Sequence, residues 1–150
     1  MNTTRLLADA DATTALGAAL AAALPERAVL HLSGELGAGK TTLARGLLRA
    51  LGVTGPVRSP TYTLVERYPT PEGLVLHLDL YRIADAAELG FLGLDADAAE
   101  ARLWLIEWPE RGAGHLPAAD LVLQLGLDGS ARRVGLQPLT PTGERWLAGL

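Results

Sequence analysis

Apolar positions along the 150-residue chain follow two kinds of pattern. From Ala12 to Leu24 they recur at helical spacing: Leu16, Leu20 and Leu24 stand four apart, Asp11 offers a cap in front and Pro25 a stop behind. Ala28–Ser33 (AVLHLS) is a short, nearly continuous apolar run ending at glycine, the pattern of a strand buried on both faces. A glycine-rich loop, Gly34 to Lys40, leads into a second helix over Thr41–Leu51, stopped by Gly52. Thr61–Tyr68 alternates as a strand, Pro69, Pro71 and Gly73 predict a turn, and Leu74–Asp79 (LVLHLD) is another buried strand. Two short helices, broken around Gly90–Leu94, are predicted within Asp85–Ala101. Leu103–Trp108 (LWLIEW) is a third apolar strand, closed by Pro109. Asp120–Leu127 and Arg132–Gln137 pattern as a hairpin about Asp128-Gly129, and the last ten residues predict a short helix around Trp146.

Apolar strands alternating with helices imply an α/β fold with a mainly parallel sheet and helices on both faces. The C-terminal hairpin would add antiparallel edge strands. No linker or repeat divides the chain, so residues 1–150 are expected to form a single domain. A hydrophobic fraction of 49% excludes disorder, and the absence of cysteine excludes disulfides, thiolate metal sites and cysteine nucleophiles. The formal net charge is −4 and no basic stripe is visible, which argues against strong direct nucleic-acid binding. No apolar run is long enough for a membrane span, and the N-terminus does not resemble a signal peptide; the expectation is a cytoplasmic protein without membrane contact.

Gly34-Glu-Leu-Gly-Ala-Gly39-Lys40-Thr41 matches G-x-x-x-x-G-K-[ST] without a gap, between a predicted strand and a predicted helix. Glycines in such a loop let backbone N–H groups turn towards phosphate oxygens, and the helix that follows presents its positive end. Lys40 would reach the β- and γ-phosphates, and the Thr41 hydroxyl would ligate Mg²⁺. Lys40 is also the only lysine in the chain, so a role in solubility explains it poorly. The motif makes the fold class a P-loop NTPase three-layer sandwich.

A magnesium–nucleotide site needs a carboxylate at the C-terminal end of a neighbouring strand. Asp79 closes LVLHLD and Glu107 closes LWLIE, so there are two candidates. One would hold Mg²⁺, often through water, while the other ligates it or positions the attacking water. The structural alternative is that either one only caps a loop or pairs with Arg82 or Arg111. Ser59-Pro60-Thr61-Tyr62-Thr63 lies where P-loop switches often supply a hydroxyl that senses γ-phosphate, although a hydroxyl-rich turn explains it equally. His31, His77 and His115 show no metal-ligand spacing, and the first two read as packed strand histidines. Trp104 and Trp108 flank Glu107 and read first as core, with Trp108 also placed to border a nucleotide.

Three classes compete for such a site. A guanine-reading switch needs N-K-x-D, and the only Asn is Asn2. A small-molecule kinase, the alternative retained, needs an acceptor pocket and an arginine-bearing lid, and no compact lid segment is apparent. An ATPase that drives a partner complex needs only the phosphate site, a switch and a docking face. GELGAGKTTLARGLLRALG, SPTYTLVERY, HLDLYRI, ELGFLGLD, LIEWPERG and LPAADL, in this order, resemble the TsaE family, bacterial ATPases of tRNA threonylcarbamoyladenosine biosynthesis. The resemblance runs from about Thr13 to Arg132. It implies ATP as substrate, Mg²⁺ as cofactor, and work with TsaB and TsaD, which modify adenosine 37 of tRNAs reading codons that begin with A. Contact with tRNA would come only through that complex. The resemblance also implies that Gly37, Ala38, Gly39, Lys40, Thr41 and Thr42 cradle the phosphates, and that Thr41, Asp79 and Glu107 serve Mg²⁺. It makes Lys40, Asp79 and Glu107 the catalytic set and Thr61 the switch threonine. Thr13 falls near the adenine, and Trp108 and Arg132 near the nucleotide.

Overall fold

Seven strands form one sheet in the computed structural model, which describes residues 2–150. They are β1 (Thr3–Leu7), β2 (Ala28–Gly34), β3 (Val65–Thr70), β4 (Gly73–Asp79), β5 (Ala101–Glu107), β6 (Leu121–Asp128) and β7 (Ala131–Pro138). The helices are α1 (Ala10–Ala22), α2 (Lys40–Ala50), α3 (Leu94–Ala98) and α4 (Pro141–Ala148), with 3-10 turns at Ala86–Phe91 and Pro109–Gly112.

The strand order is β1-β7-β6-β2-β5-β4-β3. The central strands β6, β2, β5 and β4 are parallel, while β3, β7 and β1 are added antiparallel. The sheet is therefore mixed rather than mainly parallel, with antiparallel strands at both ends and not only at the C-terminal one. The reason at the β3 end is the connection: β3 runs on through Thr70, and only Pro71 and Glu72 separate it from β4, a link too short for a parallel crossover.

One face carries α1, α2 and α4, whose Leu16, Leu20, Leu43, Leu47 and Trp146 pack over Leu30, Leu32, Leu103, Leu105 and Leu123. The indole N–H of Trp146 donates to the carbonyl of Leu20 at 3.0 Å, tying α4 to α1. On the other face Leu76, Leu78 and Ile106 meet Ile83, Leu89 and Leu94. That second layer is a 3-10 turn and the five-residue α3 rather than long helices.

Several boundaries shift by one to four residues from the periodicity, and three differences have a visible cause. Asp9, not Asp11, caps α1: its Oδ1 accepts from the Ala12 N–H at 2.8 Å, so the helix starts at Ala10. The strand expected from Thr61 begins only at Val65, because the preceding residues fold into a turn. There the Leu64 N–H donates to the Pro60 carbonyl at 2.7 Å, and Leu64 itself sits at φ 69°. Strand β1 has no counterpart in the apolar pattern; Thr3-Thr4-Arg5-Leu6-Leu7 becomes a strand by pairing with β7.

Candidate functional site

The glycine-rich loop leaves the C-terminal end of β2, the strand at the centre of the parallel group, and enters α2. Gly37 (φ 80°) and Gly39 (φ 106°) occupy the left-handed region, which a side chain at either position would oppose. Sheet register brings the carboxylates to the same place. Leu32 of β2 stands opposite Glu107 of β5, and Glu107 opposite Asp79 of β4. Residues opposite one another share a face, so both acids project on the α2 side, beside the loop. The resulting cleft, about 510 Å³, is bordered by Gly37, Gly39, Lys40, Thr41 and Thr42, and across from them by Ser59, Thr61, Asp79, Glu107 and Trp108.

Lys40 is the first residue of α2 and is only 5% exposed. Its ammonium donates back to its own loop, to the carbonyls of Gly34 at 2.5 Å and Glu35 at 3.0 Å, and lies 4.4 Å from the centre of the Trp108 ring. Burial pushes its pKa below the usual lysine value; Glu107, Asp79, Glu110 and Glu35 oppose that shift. A phosphate in the cleft would join these acids as an anionic partner of the lysine.

The two acids differ in their surroundings. Asp79 is 3% exposed and both its oxygens are engaged. Oδ2 accepts from the hydroxyls of Ser59, in a short contact, and Thr61, at 3.1 Å; Oδ1 accepts from the Tyr81 N–H at 3.0 Å. Glu107 is 2% exposed, and its Oε2 is paired with His77 Nε2 at 2.7 Å. Neither acid pairs with Arg82 or Arg111. Arg82 donates to the Tyr62 hydroxyl at 3.2 Å, and the Arg111 guanidinium lies 5.2 Å from the Tyr81 ring centre and 5.6 Å from that of Trp108.

The remaining sequence-predicted residues fall into three groups. Thr61 and Trp108 line the cleft, and Trp108 does so from a left-handed backbone (φ 58°), unusual for a side chain of this size. Arg132 on β7 donates to the carbonyl of Gly37 at 3.2 Å and so reaches the loop from the far hairpin. Thr13 is buried on α1 with its methyl group facing Gly39, behind the loop, whereas the adjacent Thr14 is exposed. Ala38 is fully buried in the main core and does not border the cleft. Ser59 and His77 are the residues that sequence reasoning undervalued. His77 reads as core by its apolar neighbours, and it is indeed 0% exposed, but it shares the parity of Asp79 and so faces the acids.

The hydroxyl of Thr41 and the carboxylates of Asp79 and Glu107 form a hard-oxygen donor set. Among the described residues there is no group of three or more His, Cys, Asp or Glu that could enclose a metal ion. Hard oxygens of this kind are donors that Mg²⁺ accepts alongside waters and phosphate oxygens.

Three comparisons bear on this arrangement. The model of a family described as threonylcarbamoyl adenosine biosynthesis protein TsaE matches residues 7–134. The tRNA threonylcarbamoyladenosine biosynthesis protein TsaE of Haemophilus influenzae is 45% identical over 120 residues, covering 79% of this chain and 76% of its own. The protein of the same name from Mycobacterium leprae is 43% identical over 124 residues, covering 75% of each. Among solved structures, the crystal structure of Bacillus subtilis YdiB superposes with a TM-score of 0.80 at 27% identity, covering 99% of this chain and 93% of that one.

Proposed function

The chain belongs to the TsaE family, and from that membership and the cleft we propose that it is a Mg²⁺-dependent ATPase serving threonylcarbamoyladenosine formation in tRNA. The observation that carries the chemistry is the convergence of one buried lysine with two buried carboxylates around a glycine loop at a helix start. Backbone N–H groups of Gly37 to Thr42 hold the phosphates, and Lys40 leaves the carbonyls of Gly34 and Glu35 to neutralise them. Thr41 and Asp79 are the residues that would hold Mg²⁺, which supplies charge neutralisation at the transferred phosphoryl group. Asp79, with both oxygens already engaged, serves the ion's water shell, and the Ser59 and Thr61 hydroxyls bonded to it report whether that shell is in place. Glu107 orients the attacking water. ADP and phosphate are the products, and TsaB and TsaD are the partners in whose complex the hydrolysis is used; tRNA is met through them. The fold class is then that of a P-loop NTPase, with the second helical layer reduced to short turns.

The test is phosphate release from ATP with Mg²⁺, in the presence and absence of TsaB and TsaD. Free phosphate should appear without any small acceptor, should require Mg²⁺, and should vanish in Lys40→Ala together with ATP binding. Turnover that demands an acceptor and yields a phosphorylated product would establish a kinase instead.

A further inference from the structure

His77 sits on β4 two residues before Asp79, so its ring points to the same side of the sheet as both carboxylates. Its register partner is Leu105, and Glu107 lies one step along the diagonal, within reach of a long side chain across adjacent strands. The contact is close, 2.7 Å from Nε2 to Oε2, between two side chains that are 0% and 2% exposed. Nδ1 of the same ring is buried without a partner. That asymmetry selects a tautomer. A proton on Nε2 gives the carboxylate a donor and leaves only a bare lone pair unpaired, whereas a proton on Nδ1 would bury an orphan N–H and set two acceptors against each other. Glu107 is thereby held by one oxygen. Oε2 is the oxygen engaged by His77, and Glu107 borders the cleft, which leaves Oε1 as its oxygen for a group bound there.

We propose that His77 is a positioning residue for ATP hydrolysis: by donating from Nε2 to Glu107 Oε2 it fixes the carboxylate rotamer that aims Oε1 at the attacking water. This rests on the ATPase reading above. A long glutamate side chain on a strand end has three rotatable bonds, and an acceptor that wanders by an ångström loses its alignment with the water. Packing alone does not fix it, because the space in front of Glu107 is the cleft itself. His77 does not line the cleft, whereas Glu107 does; it acts through Glu107, as hydrogen-bonded outer partners commonly do in metal-dependent sites.

The experiment compares His77→Leu and His77→Gln with the wild type in Mg²⁺-dependent phosphate release, with TsaB and TsaD present, alongside nucleotide affinity from titration of a fluorescent ATP analogue. Leu fills the space without a donor, while the Gln amide N–H can replace Nε2–H. His77→Leu should lower kcat by about tenfold to a hundredfold while leaving KM and nucleotide affinity within about twofold, and His77→Gln should recover most of kcat. Among the variants, either of two results overturns the proposal: a folded His77→Leu protein with wild-type kcat, or Leu and Gln variants that are equally slow, which would make the role one of packing. A wild-type protein that releases no phosphate, even with its partners, overturns the ATPase reading and the positioning role with it. When wild type is active and Lys40→Ala is not, a normal His77→Leu overturns the positioning role alone. Should His77→Leu not fold, ¹⁵N-edited NMR of the wild-type imidazole decides the matter, since a proton on Nδ1 with a bare Nε2 is incompatible with donation to Glu107.

Discussion

Glu107 and Asp79 end adjacent strands and face one cleft, yet their hydrogen bonds give them unequal freedom. Asp79 accepts from three donors, and Glu107 from His77 alone. The difference makes a prediction that depends on the choice of substitution. Glu107→Ala would leave the buried His77 N–H unpaired, at a cost of about 1–3 kcal/mol in stability, and would confuse folding with chemistry. Glu107→Gln keeps an acceptor for His77 and removes only the charge. It should bind ATP within about threefold of the wild-type affinity while phosphate release drops by about a hundredfold or more, the usual scale for a lost base. Normal release would reduce Glu107 to a structural partner of His77. At this scale Lys40, Thr41 and both acids were legible, because glycine spacing and strand-terminal acids are local signals. The His77 contact was not, since it depends on which strands become neighbours and in what register. Ala38 shows the opposite failure: membership of the motif says nothing about which of its side chains turn inward.

The pairing of α1 with α2 shows how a local composition can hide a tertiary constraint. A methyl group at Gly46 would come within 2.5 Å of the Thr14 carbonyl oxygen, and one at Gly17 within 2.3 Å of the Leu43 carbonyl oxygen. The two helices therefore meet backbone to backbone through a pair of glycines. This contact sets Thr13 against Gly39 of the loop, so the helix pair supports the phosphate site from behind. In a free helix Gly→Ala stabilises by about 1 kcal/mol. Here Gly46→Ala should destabilise by about 1–3 kcal/mol through overpacking, seen as a fall in Tm of roughly 2–12 °C. A rise in Tm on calorimetry would show that the helices do not cross so closely. The apolar runs of β2, β4 and β5 and the periodicity of α1 and α2 were readable because burial stamps itself on consecutive residues. Strand β1 left no such mark: its alternation is short, half-exposed and polar, and its partner β7 lies more than a hundred residues away in sequence. The Ser59–Leu64 turn was hidden for a related reason, because it is held by Asp79 and by the Asp79 N–H donating to the Leu64 carbonyl at 3.0 Å rather than by its own sequence.

For the whole molecule, strand order does what no single segment can. The loop follows β2, the two acids stand on the first and second strands to one side of it, β5 and β4, and the turn before β3 adds Ser59 and Thr61, so four separated segments of chain deliver one cleft. The charge of the whole chain does not favour a polyanion. The net charge is −4, and the single lysine is buried in the cleft, 5% exposed. On the proposed reading, the role in tRNA modification runs through nucleotide turnover and partner proteins rather than through a tRNA-binding face of this chain. This yields a cellular prediction. With Lys40→Ala as the only copy, threonylcarbamoyladenosine in bulk tRNA should fall towards the level of a strain lacking the protein, and wild type should restore it. The substitution also takes the positive charge away from the buried Asp79 and Glu107, which favour the lysine cation, so abundance has to be checked: immunoblotting at the wild-type level would confirm that loss of the modification reflects the phosphate site. Surface arginines serve as the contrast. Arg133→Ala, which breaks only an exposed pair with Asp128 on the far hairpin, should leave the modification unchanged. If Lys40→Ala cells kept a full complement of the modified nucleoside, the cleft would have no part in the pathway. A loss shared equally by Arg133→Ala would point instead to a nucleic-acid contact on the hairpin.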